Sequence, residues 1–130
     1  MRLNVLVVDD SQTARAIILK TLRLTGLDWG ELYEAANGRE ALAKLADHWI
    51  DLILTDIHMP EMNGLELIEQ LNEDGVLGTT PVIVMSTDGN RDQIDMLRQK
   101  GVRAYLRKPF TPEDACVTIQ TVMQPTTEGE

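Results

Sequence analysis

The chain has 130 residues, the size of one ordinary domain, and 43% of them are apolar, which supports a proper core. Its formal net charge of −9 argues against nucleic acid or an anionic membrane as a direct partner of this domain. The single cysteine, Cys116, rules out an internal disulfide and no stretch reaches the roughly 20 apolar residues of a membrane span; the opening "MRLNVLVVDD" is unlike a signal peptide, so a soluble cytoplasmic domain is expected.

Residues 3–8, "LNVLVV", are short, apolar and β-branched, which suits a strand buried on both faces. Over 12–25 the spacing turns helical, with Ala14, Ile17, Ile18 and Leu22 on one stripe and Gly26 as the stop. "ELYEA" (31–35) reads as a weaker, edge-like strand. Asn37 caps a predicted helix over 38–47, with Glu40 at its third position. "DLILTD" (51–56) is a second buried strand, and Asn63 with Glu66 forms a capping box for a helix over 64–73. "PVIVMS" (81–86) is the fourth strand; Asn90 and Gln93 cap and box a helix over 91–100, ended by Gly101. "VRAYLR" (102–107) is the fifth strand, and Thr111, Pro112 and Asp114 open the last helix, over 112–123. "PTTEGE" (125–130) is a polar tail or the start of a linker, which leaves 1–124 as the domain.

Strands that alternate with helices in this way predict an α/β fold with a parallel sheet and helices on both faces. Ligands of such sheets bind along the carboxyl ends of the strands. Here those ends carry Asp9 and Asp10, Asp56, Ser86 and, just beyond strand five, Lys108. Clustered carboxylates raise one another's pKa unless a cation neutralises them. Two or three carboxylates, a backbone carbonyl and waters form a hard oxygen cage that suits Mg²⁺. A lysine adds a mobile positive charge and a serine a hydroxyl donor, so the set is an electrostatic clamp for a phosphoryl group. A carboxylate can also be the nucleophile, and Asp56, at a strand end with a tight turn behind it, is the best placed. In isolation each residue has a plainer reading: Asp9 and Asp10 as a polar loop, Ser86 as a cap, Lys108 as a surface charge.

Four motifs taken together, "VVDDS" (7–11), "DIHMPEMNG" (56–64), "PVIVMST" (81–87) and "YLRKPF" (105–110), resemble the receiver domain of two-component response regulators, the CheY-like family, from about residue 3 to 123. The resemblance implies a doubly wound (βα)5 flavodoxin-like fold with strand order 2-1-3-4-5. It implies Asp56 as phosphoacceptor, Asp9, Asp10, Asp56 and the His58 backbone carbonyl as Mg²⁺ ligands, and Lys108 and Ser86 as contacts of the phosphoryl oxygens. Tyr105 matches the aromatic switch residue, and Lys108-Pro109 a peptide bond that is cis in the family. The implied partners are a histidine kinase or histidine phosphotransfer protein and a downstream effector, reached through helix 91–100, strand 102–107 and helix 112–123. The implied activity is signalling; the domain catalyses only its own Mg²⁺-dependent phosphorylation and dephosphorylation.

One position departs from the pattern. Thr87 stands where the family usually has a very small residue, and its branched side chain is expected to narrow access to the phosphoryl group. Three rivals fit less well. A phosphohydrolase with an aspartate nucleophile needs Asp-x-Asp, whereas "VVDDSQT" has adjacent acids. A nucleotide-binding module needs a Gly-rich loop after strand one. A degenerate receiver would lack part of the Asp9, Asp10, Asp56, Ser86 and Lys108 set. The His58 side chain is expected to face solvent beside the site, and Cys116 to be a small near-core residue.

Overall fold

The computed structural model describes residues 2–87 and 90–123. Along the chain run β1 (Leu3–Val8), α1 (Gln12–Arg23), β2 (Trp29–Ala35), α2 (Gly38–Asp47), β3 (Leu52–Asp56), α3 (Gly64–Glu73), β4 (Val82–Ser86), α4 (Arg91–Gln99), β5 (Ala104–Arg107) and α5 (Pro112–Met123). The five strands form one parallel sheet in the order β2-β1-β3-β4-β5. This is the α/β, doubly wound order expected from the sequence.

The three central strands carry apolar residues on both faces because both faces are covered. Leu6, Val8, Ile53, Val82 and Val84 pack with α2, α3 and α4; Val5, Val7, Leu52, Leu54, Ile83 and Met85 pack with α1 and α5. Strand side chains alternate between faces, so a one-residue slip would exchange the two cores, and burial on both sides fixes the register. That register sets the site. Val8 lies opposite Thr55, Asp56 opposite Met85 and Ser86 opposite Arg107, so the first residues past β1 and β5 and the last of β3 and β4 share one rim.

The helix starts follow the caps read from the sequence. Asn37, Asn63, Asn90 and Thr111 each accept from the backbone N–H three residues on, as does Ser11, which was not read as a cap, and Asn63 with Glu66 closes a full capping box. Two boxes are only half made. Glu40 reaches back to the N–H of Ala36 instead of Asn37, and the amide oxygen of Gln93 makes no return bond.

The remaining differences are local. β2 begins at Trp29, where pairing with Leu3 extends it beyond its apolar core. β5 begins at Ala104, because Val102 donates to the Leu97 carbonyl to finish the turn after α4. A single 3₁₀ turn, Val76–Gly78, was not expected; it places Leu77 in the core. The tail at 125–130 lies outside the described residues.

Gly64 couples the fold to the rim. Its N–H donates to the Ile57 carbonyl at 2.7 Å, and a Cβ there would run into the backbone of Asp56 and Ile57. The first turn of α3 can therefore close under Asp56 only with glycine at this position. Gly64→Ala is expected to lower the free energy of unfolding by about 2 kcal/mol through overpacking, seen as a lower denaturation midpoint at unchanged m-value. Gly78→Ala, where an added methyl meets nothing, should leave the midpoint where it is.

Candidate functional site

Asp9 follows β1 and is held from three directions, two of them at its carboxylate. Its Oδ1 accepts from the Ser11 N–H at 2.9 Å, its Oδ2 takes the Lys108 ammonium at 2.6 Å, and its backbone N–H donates to the Ala35 carbonyl. The residue is 1% exposed. Asp56 ends β3, half-buried; its Oδ1 accepts from the N–H of Ile57 at 2.8 Å, and its Oδ2 lies 3.4 Å from Lys108 Nζ. Asp10 stands exposed beside them. One carboxylate oxygen from each of Asp9, Asp10 and Asp56 falls within 4.8 Å of the others. Lys108 reaches the pair from a cis Lys108-Pro109 turn, with its N–H donating to the Ser86 carbonyl at 2.8 Å.

The charges do not balance. Three carboxylates face one ammonium, and among the described residues no second lysine or arginine side chain pairs with these carboxylates. Burial pushes the Lys108 pKa down, but the hydrogen bond to Asp9 and the charges of Asp56 and Asp9 outweigh it, so the group is held above the usual lysine value. Lys108 is therefore a fixed cation at neutral pH, leaving about two negative charges uncompensated. Three hard oxygens on an open rim with that residual charge fit a divalent cation of the Mg²⁺ type.

Ser86 is buried at the end of β4, one residue past the pairing partner of Asp56. The exposed His58 lies two residues beyond Asp56; its imidazole is outside the acidic cluster, and no N–H of the described residues donates to its carbonyl. Tyr105 is half-buried in β5 on the α4 side, and its hydroxyl is already inside, without a partner. Thr87 is exposed and, with Lys108, Pro109, Phe110 and α1 residues, lines a largely apolar groove of about 290 Å³ beside the cluster.

Two features were not read from the sequence. Lys108 sits closer to Asp9 than to Asp56. Arg15 also serves the rim: its Nη1 donates to the Asp9 carbonyl at 2.6 Å while its Nε binds Glu34 at 2.9 Å. A cation in the first turn of a helix, where an acid is favoured, was the available signal. Arg15 ties the β1–α1 loop to β2 and so fixes the backbone from which Asp9 and Asp10 project.

Comparison with known proteins gives a consistent picture. Residues 5–120 match the response regulator receiver domain. The chain is 39% identical over 122 residues to chemotaxis protein CheY1 of Helicobacter pylori, covering 93% of this chain and 97% of that protein. It is similar to the chemotaxis response regulator CheY4 of Vibrio cholerae, with a TM-score of 0.82 and 33% identity over 95% of this chain and 100% of that one. It also resembles a CheX-CheY-BeF3-Mg²⁺ complex of Borrelia burgdorferi, with a TM-score of 0.85 and 26% identity over 95% and 90% of the two chains.

Without metal, the three acids repel. Asp10→Asn removes one charge from the exposed corner of the cluster, so the melting temperature in chelator is expected to rise by roughly 2–4 °C. The same substitution should remove most of the rise that Mg²⁺ brings to the parent chain. A lower melting temperature in chelator, or an undiminished Mg²⁺ effect, would show that Asp10 is not part of a cation site.

Proposed function

The chain belongs to the response regulator receiver domain family, and from that premise we propose that Asp56 accepts a phosphoryl group from the phosphohistidine of a histidine kinase or histidine phosphotransfer protein. The observation that supports this most is the convergence of Asp9, Asp10, Asp56 and Lys108 on one rim from residues up to 99 apart in sequence. An oxygen of the Asp56 carboxylate attacks phosphorus, the P–N bond to the donor imidazole breaks, and the imidazole leaves with the bonding pair. Asp9, Asp10, Asp56 and the His58 carbonyl would hold Mg²⁺, which would supply positive charge against the phosphoryl oxygens.

The chain's own groups do the rest. Asp9 holds Lys108 Nζ 3.4 Å from the Asp56 oxygen, so a short movement carries the ammonium onto a phosphoryl oxygen. The Ser86 hydroxyl donates to another. Water later attacks phosphorus, the P–O bond to Asp56 breaks, and inorganic phosphate leaves with the carboxylate restored. The module so described spans residues 1–124, with 125–130 as its tail or the first part of a linker.

Phosphorylation draws Ser86 toward the phosphoryl group, biasing a two-state equilibrium at α4, β5 and α5. Tyr105 reads out that shift. Since its hydroxyl already lies inside, the change we infer is a deeper seating of the ring instead of a swing from solvent. The relatives named above are chemotaxis proteins matched over almost their whole length, which supports a motility pathway and a protein effector. No helix of the described residues is long and apolar enough to cross a membrane, in keeping with a cytoplasmic site of action.

Acetyl phosphate with Mg²⁺ is expected to add the mass of one phosphoryl group to the chain, and beryllofluoride to bind one to one. Asp56→Asn or chelator should abolish both. Continued turnover of small phosphate esters without a labelled intermediate would instead mark a hydrolase.

Thr87 lines the groove beside Lys108, and we infer that the hydrolytic water reaches the phosphoryl group past it. Replacing its branched side chain, in Thr87→Ala, should shorten the phosphorylated lifetime several-fold when followed by phosphate release. An unchanged lifetime would mean that Thr87 does not gate the water.

A further inference from the structure

Among the described residues two buried side-chain atoms have no hydrogen bond: the Tyr105 hydroxyl and the Gln93 amide oxygen. One is a donor and the other an acceptor. Tyr105 faces the α4 side of the sheet, in the cluster that contains Leu97 and Val102, while its neighbours Ala104 and Leu106 face α1 and α5. Gln93 lies four residues before Leu97 on α4 and so shares its inward face. It is also the residue whose side chain fails to close the capping box at the start of α4. Its oxygen is buried and makes no hydrogen bond.

We propose that Gln93 is the positioning residue for Tyr105: in the signalling state the Tyr105 hydroxyl donates to Gln93 Oε1, a bond that the resting arrangement leaves unmade. This rests on the reading of Asp56 as phosphoacceptor. A buried donor and a buried acceptor, each stripped of water and unpaired, raise the free energy of the arrangement that holds them. A second arrangement that joins them is lowered relative to the first, and a difference of this kind is what a two-state element needs. The placement suits the task. Ser86 ends β4, α4 begins five residues later, and Gln93 is in its first turn. Gln93 is thus in the turn of α4 nearest to Ser86 along the chain, while Tyr105 is anchored in β5 opposite Val84.

The test uses the full chain labelled with ¹³C at tyrosine Cζ, loaded with beryllofluoride and Mg²⁺. There are two tyrosines, and Tyr33, stacked on His48 at the far edge of the sheet, is an internal reference. On loading, the Tyr105 signal should move in the sense of hydroxyl donation in the parent chain and in Gln93→Glu, which keeps an acceptor oxygen. It should not so move in Gln93→Leu. Beryllofluoride affinity should fall about fivefold in Gln93→Leu and in Tyr105→Phe, and no further in the double variant. Gln93→Leu should melt at or above the parent temperature, since it removes an unpaired buried oxygen.

The proposal is overturned if Gln93→Leu keeps the parent signal change and affinity, or if the two losses add in the double variant. Failure of the parent chain itself to take up beryllofluoride would bring down the phosphoacceptor reading, and this inference with it.

Discussion

Negative charge that cannot be spread out governs this molecule. The sheet register brings three carboxylates to one rim, and among the described residues a single half-buried ammonium meets them. At close range and reduced dielectric, like charges repel far more strongly than at an ordinary surface. Lys108 relieves part of this by pairing with the most buried acid, Asp9, while staying within reach of Asp56. The residual charge makes the rim receptive to a divalent cation; on the proposed function, that cation would let an anionic phosphoryl group approach Asp56.

The scaffold must hold this arrangement against its own repulsion, and it does so with backbone bonds more than with side chains. Asp9 is fixed by its own N–H, by that of Ser11, and through its carbonyl by Arg15; Asp56 is fixed by the N–H of Ile57 and by the closeness of Gly64 beneath it. Lys108 is aimed by its bond to the Ser86 carbonyl. The three side chains so fixed stand at three different strand ends. The central strands beneath are buried on both faces, so the rim can change its charge state while the sheet stays in register.

Much of this was legible in the residues, for physical reasons. Runs such as "LNVLVV" and "DLILTD" have no polar face, so only a strand covered on both sides accommodates them. Asn37, Asn63 and Asn90 mark helix starts because their short side chains reach the first free N–H groups. Asp9, Asp10, Asp56, Ser86 and Lys108 stand out because acids and a lysine have no place at the ends of buried strands unless something outside uses them. What sequence could not supply was pairing among equals. Whether Lys108 prefers Asp9 or Asp56 depends on differences of about an ångström, and Arg15 reads as an ordinary solvated helix charge until Asp9 and Glu34 are placed around it. The 3₁₀ turn at Val76–Gly78 spans three residues, too few for a periodicity to show.

The unmade bonds on the α4 side follow the same logic as the charged rim. Both sites keep groups in a state that the surrounding structure tolerates but does not satisfy: excess carboxylate at one end of β4, an unpaired hydroxyl and amide beside it. A ligand can shift such a molecule only by its differential affinity for two states, so a resting state that is fully satisfied would need a larger input to leave. Gln93 is in the first turn of the helix that follows Ser86, and Tyr105 is in the strand paired with β4. On the readings proposed above, charge neutralised at the rim and polar atoms paired behind it favour the same alternative, which would couple the end of β4 to the start of α4.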